Sequence, residues 1–531
     1  MRAERGHVIT KEVTVHSRKI PLAEIREKLL RKHERWMRLM TDEQILKMTT
    51  EEALQFLDQI HLPTKQIAHE DLHSTVKKCQ RTRTLGLWHD HDTLFGHGYI
   101  MVTIQVYYDP AVFLSNDEAN LPPGKDLQTI VELPEVHMLA ICGDSHAEQA
   151  ALVPDRVSCL SDLNQTLTSN NGCEIKDVLR FFSGDHPAQS VERGCQQGGN
   201  FPCGSCGVRA DMISDIAHSQ TCQWRSLSEQ QQIVLAGRHG SRPELKPFHH
   251  FKKDQLQAEL QARGIFTEGL KKDIMEAELM GILRGIQRVP SLLLQNPQQP
   301  LSALNLDKYT VLDCEPLHDI KGHLENLFSE LLLLLRPEVA AACSSILDVT
   351  VRKQKAKGSD YRMAAILVLL CLLEHSQEGS SLILMQTIVE IMMVMYSNDE
   401  KRTPKQILRL FNITWLHAEV CANTLSHPSS VSQRKMFGIY FHAIVCHAAP
   451  QFEIVCLKSV NAEDQEHLFG QAESITGNTS NQHPNHVIPN LLLQIQAQAN
   501  KQTRNSIQEQ QSKISKMASQ LYKGIHSEKA A

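Results

Sequence analysis

Cys203 and Cys206, in the stretch GNFPCGSCG, have the C-x-x-C spacing of a metal-binding turn. A structural zinc ion takes four ligands in a tetrahedron, most often thiolates and imidazoles. No second C-x-x-C pair follows at zinc-finger spacing. The pair is therefore either incidental or completed by ligands from a distant part of the chain.

A distant source of ligands is the segment RKMFGIYFHAIVCHAAP, in which His442 and His447 stand five positions apart. This separation suits the histidines of Cys₂His₂ zinc sites. Five residues turn an ideal α-helix through about 500°, so the two rings would not share one face. We therefore predict that His447 comes from a frayed helix end, just before Pro450. Taken alone, the two histidines could equally cap or pack a helix.

Acidic residues form a second candidate site. Asp90, with Asp92 as its rival, and Asp185 are candidates for the first two carboxylates. Glu463 and Glu466 lie one helical turn apart on one face of a predicted helix, and either could supply a third. Carboxylate oxygens suit Mg²⁺ or Mn²⁺, and paired cations of this kind perform in-line phosphoryl transfer. The alternative is that the aspartates are ordinary turn residues.

The elements that must position these residues begin at about residue 85. Patterns of β-branched and aromatic residues predict strands at 85–90, 98–108, 131–142 and 177–188, with a helix at 145–167. This order of three strands, a helix and a strand opens the ribonuclease-H-like fold. It would place Asp90 at the end of the first strand and Asp185 at the end of the fourth.

A long helical region follows, with apolar stripes that predict helices at 319–335, 361–375, 379–396, 404–425 and 431–447. The expected fold class is thus mixed α/β, a ribonuclease-H-like core split by a large, mostly α-helical insertion, with helical extensions at both ends. The expected division is 1–84, helical and mildly basic; 85–190, first half of the core; 191–430, insertion; 431–480, return of the core; 481–531, helix and Gln-rich tail.

Composition bounds the class of protein. The 531 residues carry a net charge of −5, but residues 1–84 hold 17 Lys and Arg against 12 Asp and Glu. Nothing at the N-terminus resembles a signal peptide, and the longest apolar run, at 363–373, is too short to span a bilayer. Fourteen cysteines without an export signal indicate a reducing compartment, where cysteine pairs more often bind metals than form disulfides.

The insertion contains a segment, 252–284, that is similar to the SAP motif, a helical hairpin of chromatin proteins that contacts DNA. Its six basic residues are balanced by six acidic ones, so it lacks the positive charge of a typical DNA-binding surface. A plain helical hairpin is the alternative.

Residues 85 to about 475 resemble the catalytic subunit of the V(D)J recombinase and the related Transib-type DDE transposases. Four segments carry the resemblance in order: VLRFFSGDHPAQ, CEPLHDIKGHLENLF, YFHAIVCHAAPQFEI and EDQEHLF. The family's second catalytic Asp precedes its zinc C-x-x-C at nearly the distance that separates Asp185 from Cys203. On the family's register, Glu463 matches the catalytic Glu.

The resemblance implies a nuclear enzyme, active as a homodimer on double-stranded DNA, with an accessory protein left unidentified and no membrane attachment. Asp90, Asp185 and Glu463 would bind two catalytic Mg²⁺ or Mn²⁺ ions for DNA nicking and strand transfer. One structural Zn²⁺ would be held by Cys203, Cys206, His442 and His447, and would join the two ends of the insertion.

The sequence departs from the family's pattern in two places. HDHD stands at the first Asp where the family has C-D-G, so Asp92 remains a rival of Asp90. Residues 1–84 show no zinc finger or homeodomain-like region. The alternative function is therefore a domesticated or inactive transposase derivative, which keeps the fold and the zinc site but binds DNA or other proteins.

Overall fold

The computed structural model describes residues 80–94, 97–107, 135–141, 174–222, 224–241, 251–291, 309–353, 356–396 and 404–477. It also describes short pieces at 13–15, 18–20 and 167–168 and single positions at 47, 49 and 494. Apart from those pieces and positions, the predictions for residues 1–60, 145–167 and 481–531 fall outside the described residues.

Five strands form a mixed sheet in the order β3-β2-β1-β4-β5. They are β1 (Gln80–Leu94), β2 (His97–Tyr107), β3 (Glu135–Ile141), β4 (Glu174–Phe182) and β5 (Thr310–Val311). β1, β2 and β3 are antiparallel neighbours, whereas β4 runs parallel to β1 and β5 parallel to β4. A two-residue strand, Leu167–Thr168, adds to the start of β4. The mixed α/β class predicted from the sequence is confirmed.

Helices make up most of the rest of the described chain. They are α1 (His186–Arg193), α2 (Ile216–Thr221), α3 (Leu227–Leu235), α4 (Lys253–Ala262), α5 (Lys272–Leu283), α6 (Pro316–Leu334), α7 (Pro337–Thr350), α8 (Gly358–Glu374), α9 (Ser380–Met395), α10 (Pro404–Thr424), α11 (Gln433–Met436), α12 (Ile439–His442), α13 (Ala448–Ile454) and α14 (Glu463–Gly477).

The four helices predicted between 319 and 425 are confirmed as α6, α8, α9 and α10, and the one predicted at 431–447 is broken into shorter pieces. Several elements were not predicted, among them α7 and β5. α7 follows α6 directly, and β5 returns to the sheet from inside the segment predicted as a helical insertion. β5 is only two residues long, too short for an alternating pattern to show in the sequence.

The register of β1 and β4 brings the two aspartates to one end of the sheet. Leu87 pairs with Phe182 at the end of the parallel ladder, and the N–H of Ser183 donates to the carbonyl of Leu87 at 3.0 Å. Asp90 follows Leu87 by three residues, and Asp185 follows Phe182 by three residues. Both therefore lie beyond the same end of the β1–β4 ladder.

β4 is shorter and β1 longer than the sequence indicated. β4 ends at Phe182 because Asp185 caps α1, its side chain accepting the N–H of Ala188 at 2.9 Å. The predicted strand, which was expected to end on Asp185, therefore ends three residues earlier. β1 continues to Leu94 because β2 pairs with it that far, so Asp90 lies within the strand and not at its end.

Helices α6 to α13 share one apolar core with the segment around the two cysteines. Within the region of SAP-like sequence, α4 and α5 form a helical hairpin whose apolar contact includes Leu256, Leu260, Met275 and Leu279. Among the described residues, no single helix is both long and apolar enough to cross a membrane. Only the segments Gln433–Ile454 and Leu457–Ala472, which meet at a bend of 103°, satisfy that criterion when joined.

Candidate metal and acidic sites

Cys203, Cys206, His442 and His447 come together in the core, and we call this group the Cys₂His₂ cluster. Their ligand atoms all lie within 4.8 Å of one another. The Cys203 sulfur lies 3.3 Å from Nε2 of His447, the Cys206 sulfur lies 3.2 Å from Nε2 of His442, and the two Nε2 atoms are 2.9 Å apart. Two thiols and two imidazoles converging at one buried point are the donor set of a closed, structural zinc site.

A π-helical turn explains how two histidines five positions apart reach one site. Residues Ala443–His447 form this turn, and the N–H of Ala448 donates to the carbonyl of Ala443 in the i→i+5 pattern. An added residue per turn brings His447 back under His442. The predicted frayed helix end was wrong, because the helix continues as α13 directly after His447.

Further polar groups surround the imidazoles. Ser219 Oγ lies 3.3 Å from Nδ1 of His442, and a carboxylate oxygen of Asp313 lies 3.6 Å from Nδ1 of His447. Asp313 is itself paired with Arg193 at the end of α1. Partners of this kind fix the orientation of metal-binding imidazoles. They also connect the cluster to α1 and to the residues that follow β5.

The thiol of Cys203 is poised as a ligand, whereas burial and the neighbouring Cys203 raise the pKa of Cys206 well above its ordinary value. Burial opposes the ionisation of both thiols, but the hydrogen bond from Cys206 and the neighbouring imidazoles of His447 and His442 lower the pKa of Cys203 well below its ordinary value. A thiolate is the form that binds a metal. The residues present therefore fit a zinc ion, although the chemistry of the donor set alone does not identify the metal.

Asp90 lies in a crowded acidic environment at the carboxyl end of the β1–β4 ladder. Burial, together with the charges of Asp185 and Glu466, raises the pKa of Asp90 to about 7. The N–H of His91 donates to one Asp90 oxygen at 2.7 Å and partly opposes this effect. Carboxylates gathered in this way repel one another until a cation or proton joins them.

Helix α14 brings both candidate glutamates to the sheet, but in different environments. Glu466 interacts electrostatically with Asp90 and lies 3.7 Å from Nε2 of His318. Glu463 instead forms an ion pair with Arg362 of α8 at 2.5 Å, with its side chain 43% exposed. The structure thus associates Glu466 with the aspartates, while Glu463 is held by a cation.

α14 is held against the strands that carry Asp90. Its apolar residues pack on Trp88 of β1 and Met101 of β2, the residue opposite Asp90 in the ladder. Gln465 donates its side-chain N–H to Gln105 of β2 at 2.8 Å. The helix that carries the glutamates is therefore a fixed neighbour of the acidic strand.

The N-terminus of α6 links the parts of the acidic site. Glu315 caps α6 and also accepts the N–H of Ala462, just before α14, at 2.8 Å. Asp319, one turn on, lies 2.6 Å from Nε2 of His186, the residue after Asp185. A single helix end thus positions both α1 and α14.

His318 adds a positive charge to this region. Burial by itself lowers the pKa of His318, but the hydrogen bond to Glu315 and the charges of Glu315, Glu466 and Asp185 together raise it to about 9. The imidazole is therefore protonated at neutral pH and faces the carboxylates. Sequence patterns did not identify His318, Glu315 and Asp319 as site residues; a run of acidic and imidazole side chains around the first turn of α6 was the available signal.

Side-chain placement for Asp92 falls outside what the structure describes; its backbone pairs with Tyr99 of β2. No family model matches the chain, and no curated protein is similar to it in sequence at a significant level.

Proposed function

We propose that the chain is a DDE-type DNA transposase or recombinase with a ribonuclease-H-like core, which nicks DNA and transfers strands at its acidic site. The observation that supports this proposal most strongly is the Cys₂His₂ cluster. Its cysteines follow Asp185 and its histidines precede α14, so one buried group joins the chain segments that carry the separate carboxylates. The resemblance to the recombinase family implies this same long-range closure.

The topology of the sheet supports the proposal. Three antiparallel strands are followed by two parallel ones, in the order β3-β2-β1-β4-β5. This is the strand order of the ribonuclease-H-like fold, with β1 in the centre, Asp90 within β1 beyond its pairing with β4, and Asp185 beyond the end of β4. The interruption between β4 and β5 and the long helical region between β5 and α14 are the insertions that such a core would carry.

Asp90, Asp185 and a glutamate of α14 would hold two divalent cations. Bound there, the cations supply activation of the attacking oxygen and stabilisation of the leaving oxygen at the scissile phosphate. The geometry favours Glu466 as the third carboxylate, because it already shares the electrostatic environment of Asp90. Glu463, which the family register favours, would first have to separate from Arg362.

The remaining residues would orient this site. Glu315 fixes the start of α14 against α6, and the His186–Asp319 pair fixes the start of α1, where Asp185 lies. Protonated His318 would lower the repulsion among the carboxylates before cations bind. The proposed setting is the nucleus, with double-stranded DNA as substrate and a homodimer as the active form.

A strand-transfer reaction tests the proposal. Duplex ends with a free 3′-OH, selected from random DNA by binding to the full chain, are incubated with a supercoiled plasmid and Mn²⁺. Wild type should join the ends to the plasmid, and Asp90→Asn should lower the yield at least 100-fold. Equal joining by both proteins, or none by wild type on any selected end, would contradict the enzymatic proposal.

The second candidate is a transposase derivative that acts through protein contacts, and one observation is relevant to it. Met363, Ile366, Leu370 and Leu373 form an apolar stripe along α8, and their exposed fractions lie between 40% and 54%. An apolar stripe left in water is typical of a contact surface. An accessory protein on this surface is compatible with either candidate, so the strand-transfer result distinguishes them.

A further inference from the structure

A second group of metal-binding side chains lies inside the helical region, away from the Cys₂His₂ cluster. His323 of α6 and His417 and Cys421 of α10 bring their ligand atoms within 4.8 Å of one another. All three residues are at most 1% exposed. Two imidazoles and a thiol converging in an apolar helical core form an arrangement that sequence patterns did not indicate.

The geometry of this group repeats that of the Cys₂His₂ cluster. The Nε2 atoms of His323 and His417 are 2.9 Å apart, the same separation as between His442 and His447. The Cys421 sulfur lies 3.5 Å from Nε2 of His417. His417 and Cys421 stand four positions apart and therefore share one face of α10.

Hydrogen bonding favours one tautomer of His417. Thr387 has one hydroxyl proton, which it donates to the carbonyl of Ile383 or Leu384, and its oxygen lies 2.8 Å from Nδ1 of His417. That oxygen therefore accepts the Nδ1–H of His417. The Nε2 atom is left with a lone pair directed at His323 and Cys421, as in metal-binding histidines whose other nitrogen donates to a neighbour.

Burial leaves one polar atom of this group unpaired. Nδ1 of His323 has no hydrogen-bond partner, and among the described residues no fourth Cys, His, Asp or Glu joins the group. Polar atoms in a dry core destabilise it unless they are paired. The Nε2 atoms contact each other and the sulfur contacts Nε2 of His417. A cation shared by these three atoms would replace those contacts with metal bonds, and Nδ1 of His323 would keep its place without a partner.

We propose that His323, His417 and Cys421 bind a second zinc ion, which pins α6 to α10. Neutral imidazoles and a thiolate are donors that suit Zn²⁺, whereas Mg²⁺ and Mn²⁺ prefer carboxylates. Binding displaces the proton of the Cys421 thiol, which leaves to solvent, and forms one Zn–S and two Zn–N bonds. Three protein ligands leave the fourth position to a water molecule.

The location gives this ion a structural role. The ring of Phe441, the residue before His442, packs against His323 with their centroids 5.6 Å apart. The N-terminal end of α6, one to two turns before His323, carries Glu315 and His318. A zinc ion between α6 and α10 would therefore stabilise the helix that supports the acidic site and would buttress the segment that carries the first cluster.

Zinc content of the full chain, measured by inductively coupled plasma mass spectrometry after reconstitution and removal of loose metal, tests the proposal. We expect two zinc ions per chain in wild type, one in Cys421→Ala and one in Cys203→Ala. The matched control is Cys343→Ala, which removes another buried core cysteine from outside both groups and should retain two.

Co²⁺ substitution provides a readout that does not depend on a variant that folds. Wild type should bind two equivalents, the second with the charge-transfer absorption of a single thiolate ligand. One zinc ion per chain in wild type, lost in Cys203→Ala, would overturn the proposal. So would two ions per chain in both wild type and Cys421→Ala.

Discussion

The sulfur of Cys203 lies 3.3 Å from Nε2 of His447, although the two residues are 244 positions apart in the chain. Between them lie β5 and the helices α2 to α12. The contact brings the start of this region back to its end, where α14 follows. The buried cluster thus adds to the contacts that hold α14 beside the strand of Asp90.

Removal of one ligand of the Cys₂His₂ cluster should unfold this connection. We expect Cys203→Ala and His447→Ala to lose the ion and to lower the midpoint of thermal unfolding by roughly 10 °C, because binding of structural zinc is coupled to folding. Cys343→Ala should lower the midpoint less and keep the ion at this cluster. A Cys203→Ala protein with unchanged metal content would contradict the assignment of the ligands.

The π turn predicts how many residues can separate His442 from His447 in a metal-binding chain. Deletion of Ala443 should convert the turn to an ordinary α-helical one with the two histidines four positions apart, which also lie on one face. The deletion variant should therefore still bind the ion. Insertion of an alanine after Ala443 should abolish binding, because six positions in an α-helix leave the rings about 120° apart around the axis. If the deletion variant lost the ion, the prediction would be wrong, and the π turn would itself be required for binding.

The pKa of Asp90 predicts how stability depends on pH. Its folded value of about 7 lies above the ordinary 3.8, so the folded state holds the proton more tightly. The stability associated with this proton is present below about pH 4 and is lost as pH rises to about 7. Asparagine carries no ionisable proton, so the free energy of unfolding of an asparagine variant does not fall in this way. At pH 8 without divalent cations, Asp90→Asn should therefore be more stable than wild type by about 2 kcal/mol. Denaturant unfolding at pH 5 and pH 8 measures the difference in free energy of unfolding between the two proteins. The same difference at both pH values would contradict the prediction.

Two glutamates of α14 can be separated by their response to Mn²⁺. Wild type should gain thermal stability on addition of Mn²⁺ at pH 8, since cations relieve the repulsion among the carboxylates. Glu466→Gln should lose most of this gain, whereas Glu463→Gln, which removes the partner of Arg362, should keep it. The reverse result would assign the third carboxylate to Glu463, as the family register implies.

Local patterns predicted much of the architecture but not its exceptions. The apolar stripes of α6, α8, α9 and α10 are long and periodic, so they could be identified without tertiary contacts. β5 escaped detection because two residues carry no period. The end of β4 was placed three residues late because the strand pattern gives its end only approximately. The capping role of Asp185 depends on the chain that follows it.

For the metal ligands too, the sequence identified some residues but not the contacts that bring them together. The Cys₂His₂ residues were identified from spacing and family resemblance, but their meeting depends on a π turn, which no simple sequence rule marks. His323, His417 and Cys421 lie on two helices that only tertiary packing brings together. The choice between Glu463 and Glu466 likewise depends on Arg362, which is about 100 residues away in sequence.

Nicking of supercoiled plasmid in Mn²⁺ tests the central claim, that the acidic site cleaves DNA, most directly. Asp185→Asn keeps an oxygen to cap α1 but removes a charged metal ligand, and Asp215→Asn makes the same change at the cap of α2. We predict that wild type and Asp215→Asn nick the plasmid at equal rates and that Asp185→Asn is at least 100-fold slower. Equal rates for all three proteins would contradict the account.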